Sequence, residues 1–189
     1  MAKHTLVALV EDKPGVLNRV ASLFRRRGFN IESIAVGHTE LAGISRMTIV
    51  VDGTASSVEQ LRKQLDKLIN VVKVTDITEN SLVARELALI KVKANPATRS
   101  EIIQIVDIFR ANIVDVSADS LVVEVTGDED KIDSLFRLLK GFSVKEIART
   151  GRIAMTRGVA GPLLVEEEGV PQKRARPKKA KGLNEISNL

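Results

Sequence analysis

Hydrophobic and polar positions follow two different rhythms over the first 78 residues, and the switches between them mark six elements. "HTLVALVE" (4–11) is a near-continuous apolar run of strand length, broken at once by a Pro-Gly pair. From Pro14 to Arg27 the spacing turns helical, with Leu17, Val20, Ala21 and Phe24 on one stripe. Pro14 takes the tolerated first-turn position and Gly28 the C-terminal cap. Arg25, Arg26 and Arg27 fall in the last turn, where cations complement the helix dipole. "NIESIAVGH" and "ISRMTIVVD" return to strand character, joined by a Gly-containing loop. Ser56 and Glu59 have capping-box spacing ahead of a second stripe, Val58, Leu61, Leu65, Leu68 and Ile69, and "VVKVTDI" closes the unit as a strand.

The resulting order, βαββαβ, is the ferredoxin-like plan of the α+β class, two helices on one face of a four-stranded antiparallel sheet. Residues 1–78 are enough to fold alone, but the second sheet face and the free edge call for a cover. The second half repeats the plan imperfectly. "RELALIKVKA" is a strand, and Thr98 and Glu101 have capping-box spacing before a helix carrying Ile102, Val106 and Phe109. "NIVDVS" and "SLVVEVT" are strands, Asp128 opens a helix with Ile132, Leu135 and Leu139 inward, and "SVKEIART" is the last strand. "LFRRRGFNI" is echoed by "IFRANI", yet the Pro-Gly turn has no counterpart. The organisation expected is two tandem ferredoxin-like βαββαβ domains at 1–78 and 85–158, a linker at 79–84, and a flexible basic tail at 159–189.

Charge sharpens this division. The net charge of the 189 residues is +5, but "PQKRARPKKAK" (171–181) holds six Lys and Arg and no acid, while residues 1–170 carry 23 basic and 23 acidic side chains. The basicity belongs to the tail. With 44% hydrophobic residues, no long apolar run and an acid arriving early in "MAKHTLVALVED", the chain reads as globular and cytoplasmic, with no membrane partner. The absence of cysteine excludes disulfides and thiolate chemistry, and only His4 and His38 could offer imidazole to a metal. His4 opens a strand and His38 sits in a loop, both as surface or boundary residues.

Motifs for enzyme chemistry do not occur: there is no G-x-G-x-x-G, Walker loop, G-x-S-x-G or H-E-x-x-H. The adjacent carboxylates of Glu11 and Asp12 alternate faces in a strand and make a poor acid/base pair. No catalytic residues and no cofactor are expected on this chain. What remains is the strand-to-helix junction, where helix N-terminal amides point outward and hold anions. A carboxylate can dock at Gly15 and Val16, Asp12 can take an ammonium, and the amide of Asn30 can bridge either end. Val16 and Ile31 flank the place and accept a short aliphatic side chain. Together these describe an α-amino acid, weighed evenly against Asp12 and Pro14 merely starting a helix.

"EDKPGVLNRVASLFRRRGFNIESI", followed by "SRMTIVV" and a degenerate second copy, resembles the acetolactate synthase (acetohydroxyacid synthase) small-subunit family, whose first domain is an ACT domain. The resemblance covers roughly residues 3–158. It implies a non-catalytic regulatory subunit that activates a catalytic large subunit and confers feedback inhibition by valine in branched-chain amino acid biosynthesis. Thiamine diphosphate, Mg²⁺ and FAD are then expected on the large subunit, and a homodimer through the ACT domains, with the effector between copies. The family's effector positions fall on Asp12, Gly15, Val16, Asn30 and Ile31. The family often has Asn at position 12; Asp keeps an acceptor for ammonium and loses the amide donor. Because only the first copy keeps the Pro-Gly turn, residues 1–78 are expected to supply the effector site, leaving 85–155 to stabilise the assembly and help transmit the signal.

Two other classes share parts of this pattern. A free-standing amino-acid sensor would use the same fold, and RNA-binding modules share the βαββαβ order. Against RNA, aromatic residues are only 3% of the chain with no Tyr or Trp, and "SRMTIVVD" lacks stacking rings. A nucleic-acid partner is not expected.

Overall fold

The structure is a computed structural model that describes residues 2–158. The tail expected over 159–189 lies outside the described residues. The first unit comprises β1 (Ala2–Glu11), α1 (Val16–Arg26), β2 (Ile31–His38), β3 (Ile44–Gly53), α2 (Ala55–Leu65) and β4 (Val71–Asp76). Its strands form an antiparallel sheet in the order β2-β3-β1-β4, with β2 at one edge. The second unit comprises β5 (Leu82–Lys93), α3 (Arg99–Ile108), β6 (Asn112–Val116), β7 (Ser120–Gly127), α4 (Glu129–Leu139), β8 (Val144–Arg149) and β9 (Ile153–Thr156). Its sheet runs β6-β7-β5-β8, so both halves are mixed α+β units of the same plan.

Both α1 and α2 begin later or earlier than spacing suggested, and the caps explain why. Gly15 holds the N-cap of α1 in the left-handed region (φ 83), so the first helical residue is Val16 rather than Pro14. The helix therefore buries Val16, Val20, Leu23 and Phe24, while Leu17 is 48% exposed and Ala21 faces solvent. At its other end the Gly28 amide bonds the Arg25 carbonyl and the Phe29 amide the Phe24 carbonyl, the paired bonds of a Schellman motif. In α2 the cap is Thr54, whose side chain accepts from the Ser57 amide in a reciprocal capping box. The expected Glu59 partner instead binds Arg62 at 2.7 Å, which holds its carboxyl far below the usual range, at about 2. Because α2 ends at Leu65, Ile69 lies beyond the stripe and is exposed. In α3 the Thr98 side chain makes no cap bond; Asn95 Oδ1 accepts from the Ala97 and Thr98 amides instead. Asp128 caps α4 as expected, accepting from the Lys131 amide.

Two cores form between helices and sheets. The first gathers Leu6, Ala8, Val10, Val20, Phe24, Ile49, Leu61 and Leu65, the second Ala88, Ile90, Val92, Ile102, Val106, Val123, Leu135 and Leu139. Strand β1 reads as an unbroken apolar run because both its faces are covered. Its other face carries Val7, which is fully buried with Ile77 and Ala154 in a third cluster. The cover that the first sheet needs is thus supplied by β9, a strand the sequence pattern did not mark. Residues Leu82–Arg85 of β5 pair with β9, and Glu86–Lys93 continue into the second sheet. Leu82–Ala84, expected in the linker, are therefore strand. Arg46 Nη2 donates to the Ala154 carbonyl at 2.6 Å, fixing β9 over the first sheet.

Candidate functional site

The junction after β1 is built by a short set of backbone bonds. The Asp12 amide donates to the Gly43 carbonyl at 2.8 Å, tying the turn to the loop before β3. The Lys13 amide donates to the Glu11 carbonyl, and the chain then turns through Pro14 and Gly15 into α1. Only glycine adopts φ 83 there without strain, which is the answer to why the Pro-Gly pair sits between a strand and a helix.

That geometry leaves the start of α1 uncapped. No side chain caps it and no acid lies in its first turn. The Val16 amide is engaged with the Lys13 carbonyl at 3.3 Å, and the first helical bond runs from the Arg19 amide to the Gly15 carbonyl. Among the described residues, no acceptor meets the amides of Gly15, Leu17 or Asn18. A Cβ added at Gly15 would meet nothing within 4 Å, so the space beside the Gly15 Cα is open. The place suits an anion of carboxylate size. Val16 itself turns its side chain into the first core, so it contributes position rather than an aliphatic wall.

Asp12 is exposed beside this opening, with its Oδ2 3.5 Å from Nδ1 of His38. His38 ends β2 rather than lying in a loop, and it joins the site by facing Asp12, a partnership no spacing rule reveals. Glu11 is occupied elsewhere: it takes a hydrogen bond from Asn70 at 2.6 Å and pairs with Lys13 at 2.9 Å, which lowers its carboxyl pKa. His4, expected as a surface or boundary residue, is buried with its Nδ1 3.2 Å from Asp76 Oδ2, at the opposite end of β1 from α1's start.

Asn30 and Ile31 lie elsewhere. They follow the C-terminal end of α1, and eleven helical residues separate them from Gly15 by about 16 Å. Asn30 is exposed and Ile31 packs partly on the first core; both line a cleft of about 570 Å³ between the two units. One amino acid cannot touch Gly15 and Asn30 of the same chain. Strand register sets the two groups at opposite ends of the sheet. Glu11 and His38 lie at one end of the sheet, opposite Ile44 and Ser45, while Ile31 lies at the other, opposite Val51. Two β2 edges paired antiparallel about a two-fold axis would bring Ile31 of one copy to His38 of the other, beside Asp12 and Gly15.

Two tandem βαββαβ units, the first with a left-handed glycine at its β1–α1 turn, have the ACT class of fold. Residues 6–73 match the model of the acetohydroxyacid synthase small subunit-like ACT domain, and residues 85–158 that of the small subunit of acetolactate synthase. The chain is 60% identical over 156 residues to a probable acetolactate synthase small subunit of Archaeoglobus fulgidus, covering 82% of this chain and 98% of that protein. Against the acetolactate synthase small subunit of Bacillus subtilis it is 57% identical over 157 residues, covering 82% and 91%. The crystal structure of the acetolactate synthase small subunit from Thermotoga maritima superposes with a TM-score of 0.78 at 47% identity, covering 84% of this chain and 99% of that one. The chain belongs to the acetolactate synthase small-subunit family.

Proposed function

We propose that this chain is the regulatory subunit of acetolactate synthase, activating a catalytic large subunit and making it sensitive to feedback by valine. The observation that carries the effector reading is the uncapped start of α1, where the amides of Gly15, Leu17 and Asn18 meet no acceptor among the described residues and the Asp12 carboxylate lies beside them. The amides take the valine carboxylate and Asp12 takes its ammonium. Asn30 and Ile31 of a second copy close the site, which makes the homodimer a condition of binding rather than an accompaniment. Family membership supports the partnership with the large subunit, where thiamine diphosphate, Mg²⁺ and FAD would reside; this chain supplies no step of the reaction. The same membership supports a cytoplasmic complex. No described helix is long and apolar enough to cross a membrane.

The test is reconstitution. Purified chain is mixed with the catalytic subunit, and acetolactate formation is followed with and without valine. Activation together with valine inhibition supports the proposal, whereas valine binding without any effect on the catalytic subunit would favour a free-standing sensor.

A further inference from the structure

Adjacent residues of β2 serve two sites. Asn30 precedes the strand and Ile31 opens it; both belong to the proposed effector site. Glu32, Ser33 and Ile34 come next and meet the second unit, where the turn between β8 and β9 is seated on them. Gly151 in that turn has φ 81, and a Cβ there would lie 2.7 Å from Ser33 Oγ and 3.4 Å from the Ile34 carbonyl oxygen. The turn reaches β2 this closely only because residue 151 has no side chain. The Arg152 amide then donates to Ser33 Oγ at 2.9 Å.

Beside this contact runs a chain of charges that crosses between the units. Glu32 is 3.1 Å from Lys3 Nζ, Lys3 is 2.8 Å from Glu129, and Glu129 is 2.7 Å from Arg152. Arg152 also reaches Thr5 Oγ1 at 3.5 Å. Lys3 and Glu32 belong to the first unit, Glu129 to the first turn of α4, and Arg152 to the β8–β9 turn. The partners hold each other in their charged forms, the Lys3 pKa raised by Glu129 and Glu32, the Glu129 pKa lowered by Lys3. Arg149, on the same cleft, pairs with Glu86 and Asp133 and so ties the second unit to itself.

We infer that the Gly151–Arg152 turn and the Glu32–Lys3–Glu129–Arg152 chain form a latch that carries effector occupancy from the start of β2 to the second unit. The inference rests on the proposed effector site and adds the residues that transmit its state. An effector drawing on Asn30 and Ile31 displaces Glu32 and Ser33, which are one to three residues away on the same strand. The second unit follows because its turn has no slack against Ser33 and its charges have partners on Lys3. Lys3, Glu129 and Arg152 are positioning residues, since none of them touches the effector.

The experiment uses the full chain reconstituted with the catalytic subunit, carrying Lys3→Met or Glu129→Gln, with Lys145→Met as a control that breaks the Lys145–Asp119 pair inside the second unit. Calorimetry reads valine affinity and acetolactate formation reads inhibition. For both latch variants, affinity and activation should stay within about threefold of wild type while the half-inhibiting valine concentration rises by about fivefold or more. The control should leave inhibition unchanged. A latch variant inhibited like wild type, even if less heat-stable, would reduce the chain to a structural brace and overturn the inference. Parallel loss of binding and inhibition would also overturn it, by placing these residues in the site rather than beyond it. A wild-type chain that binds no valine would instead remove the effector reading.

Discussion

Gly15→Asp separates effector binding from subunit activation, and the structure supplies its magnitude. On the folding side, a Cβ at position 15 meets nothing within 4 Å, so the cost at the substituted backbone is strain rather than steric clash. Holding a non-glycine residue at φ 83 costs about 1–2 kcal/mol, with Asp at the low end because its short side chain tolerates the left-handed region. For a chain of this size that lowers Tm by roughly 2–8 °C, and the buried stripe of Val16, Val20, Leu23 and Phe24 is untouched. On the binding side, a carboxylate placed about 4 Å from the effector carboxylate repels it by about 4 kcal/mol at an effective dielectric of about 20. That is near three decades of affinity. Gly15→Ala carries the same strain without the charge and is the control. The assay is acetolactate formation against valine concentration for wild type and both variants. Gly15→Asp should activate the catalytic subunit and ignore valine, and Gly15→Ala should shift the response modestly. A Gly15→Asp protein that stays valine-sensitive would refute the placement of the carboxylate, and one that is folded but cannot activate would assign this turn to subunit docking.

Asn30→Ala should weaken the valine response in the same direction and by less. If the site takes Gly15 from one copy and Asn30 from another, mixing the Gly15→Asp and Asn30→Ala chains and letting them exchange should restore intact sites in the heterodimers, about a quarter of all sites; no recovery of valine binding would mean one chain builds the site alone. Phe24→Ala, which empties a fully buried position of the first core, should cost about 3–5 kcal/mol in a denaturation experiment. Glu129 has its carboxyl pKa lowered from the usual 4.5 by Lys3, so its contribution is complete above that value and is lost as pH falls through the lower folded value. Calorimetric Tm measured between pH 6 and 3 should therefore drop less steeply for Glu129→Gln than for wild type. A chain ending after Gly158 keeps both cores and should activate and respond like the full chain; lost activation would make the remaining residues a docking element.

The pattern of apolar positions located the four helices through their single buried stripes and β1 through an apolar run with both faces covered. It misplaced details wherever a neighbour decided the outcome. The α1 stripe slipped because Leu17, Val20, Ala21, Phe24 and Val16, Val20, Leu23, Phe24 both satisfy helical spacing, and only the left-handed Gly15 cap chooses between them. Ser56 and Glu59 matched a capping rule, but Thr54 stood closer to the end of β3 and Glu59 found Arg62. Strand β9 was silent because four residues with a single buried side chain carry no periodicity; Ala154 is inward only because the first sheet lies beneath it. At the site, residue types and the glycine were legible. The distance between the Gly15 and Asn30 ends of α1 follows from helix rise, whereas the strand register that sets Ile31 and His38 at opposite ends of β2 is not displayed by sequence.

The long strand β5 has a practical consequence for anyone who would treat this chain as a pair of separable modules. Its first four residues bond to β9, the last strand described, and together they roof the outer face of the first sheet. A cut at the apparent boundary near residue 80 does not yield a pair of finished pieces. The N-terminal fragment would be left with Val7 and Ile77 stripped of cover and Thr5 and Thr48 newly wetted, a sheet face open to any strand or apolar surface it meets. Grafting this first unit onto another protein therefore calls for the roof to travel with it, as a tethered copy of 82–85 and 153–156 or as polar replacements at Val7 and Ile77.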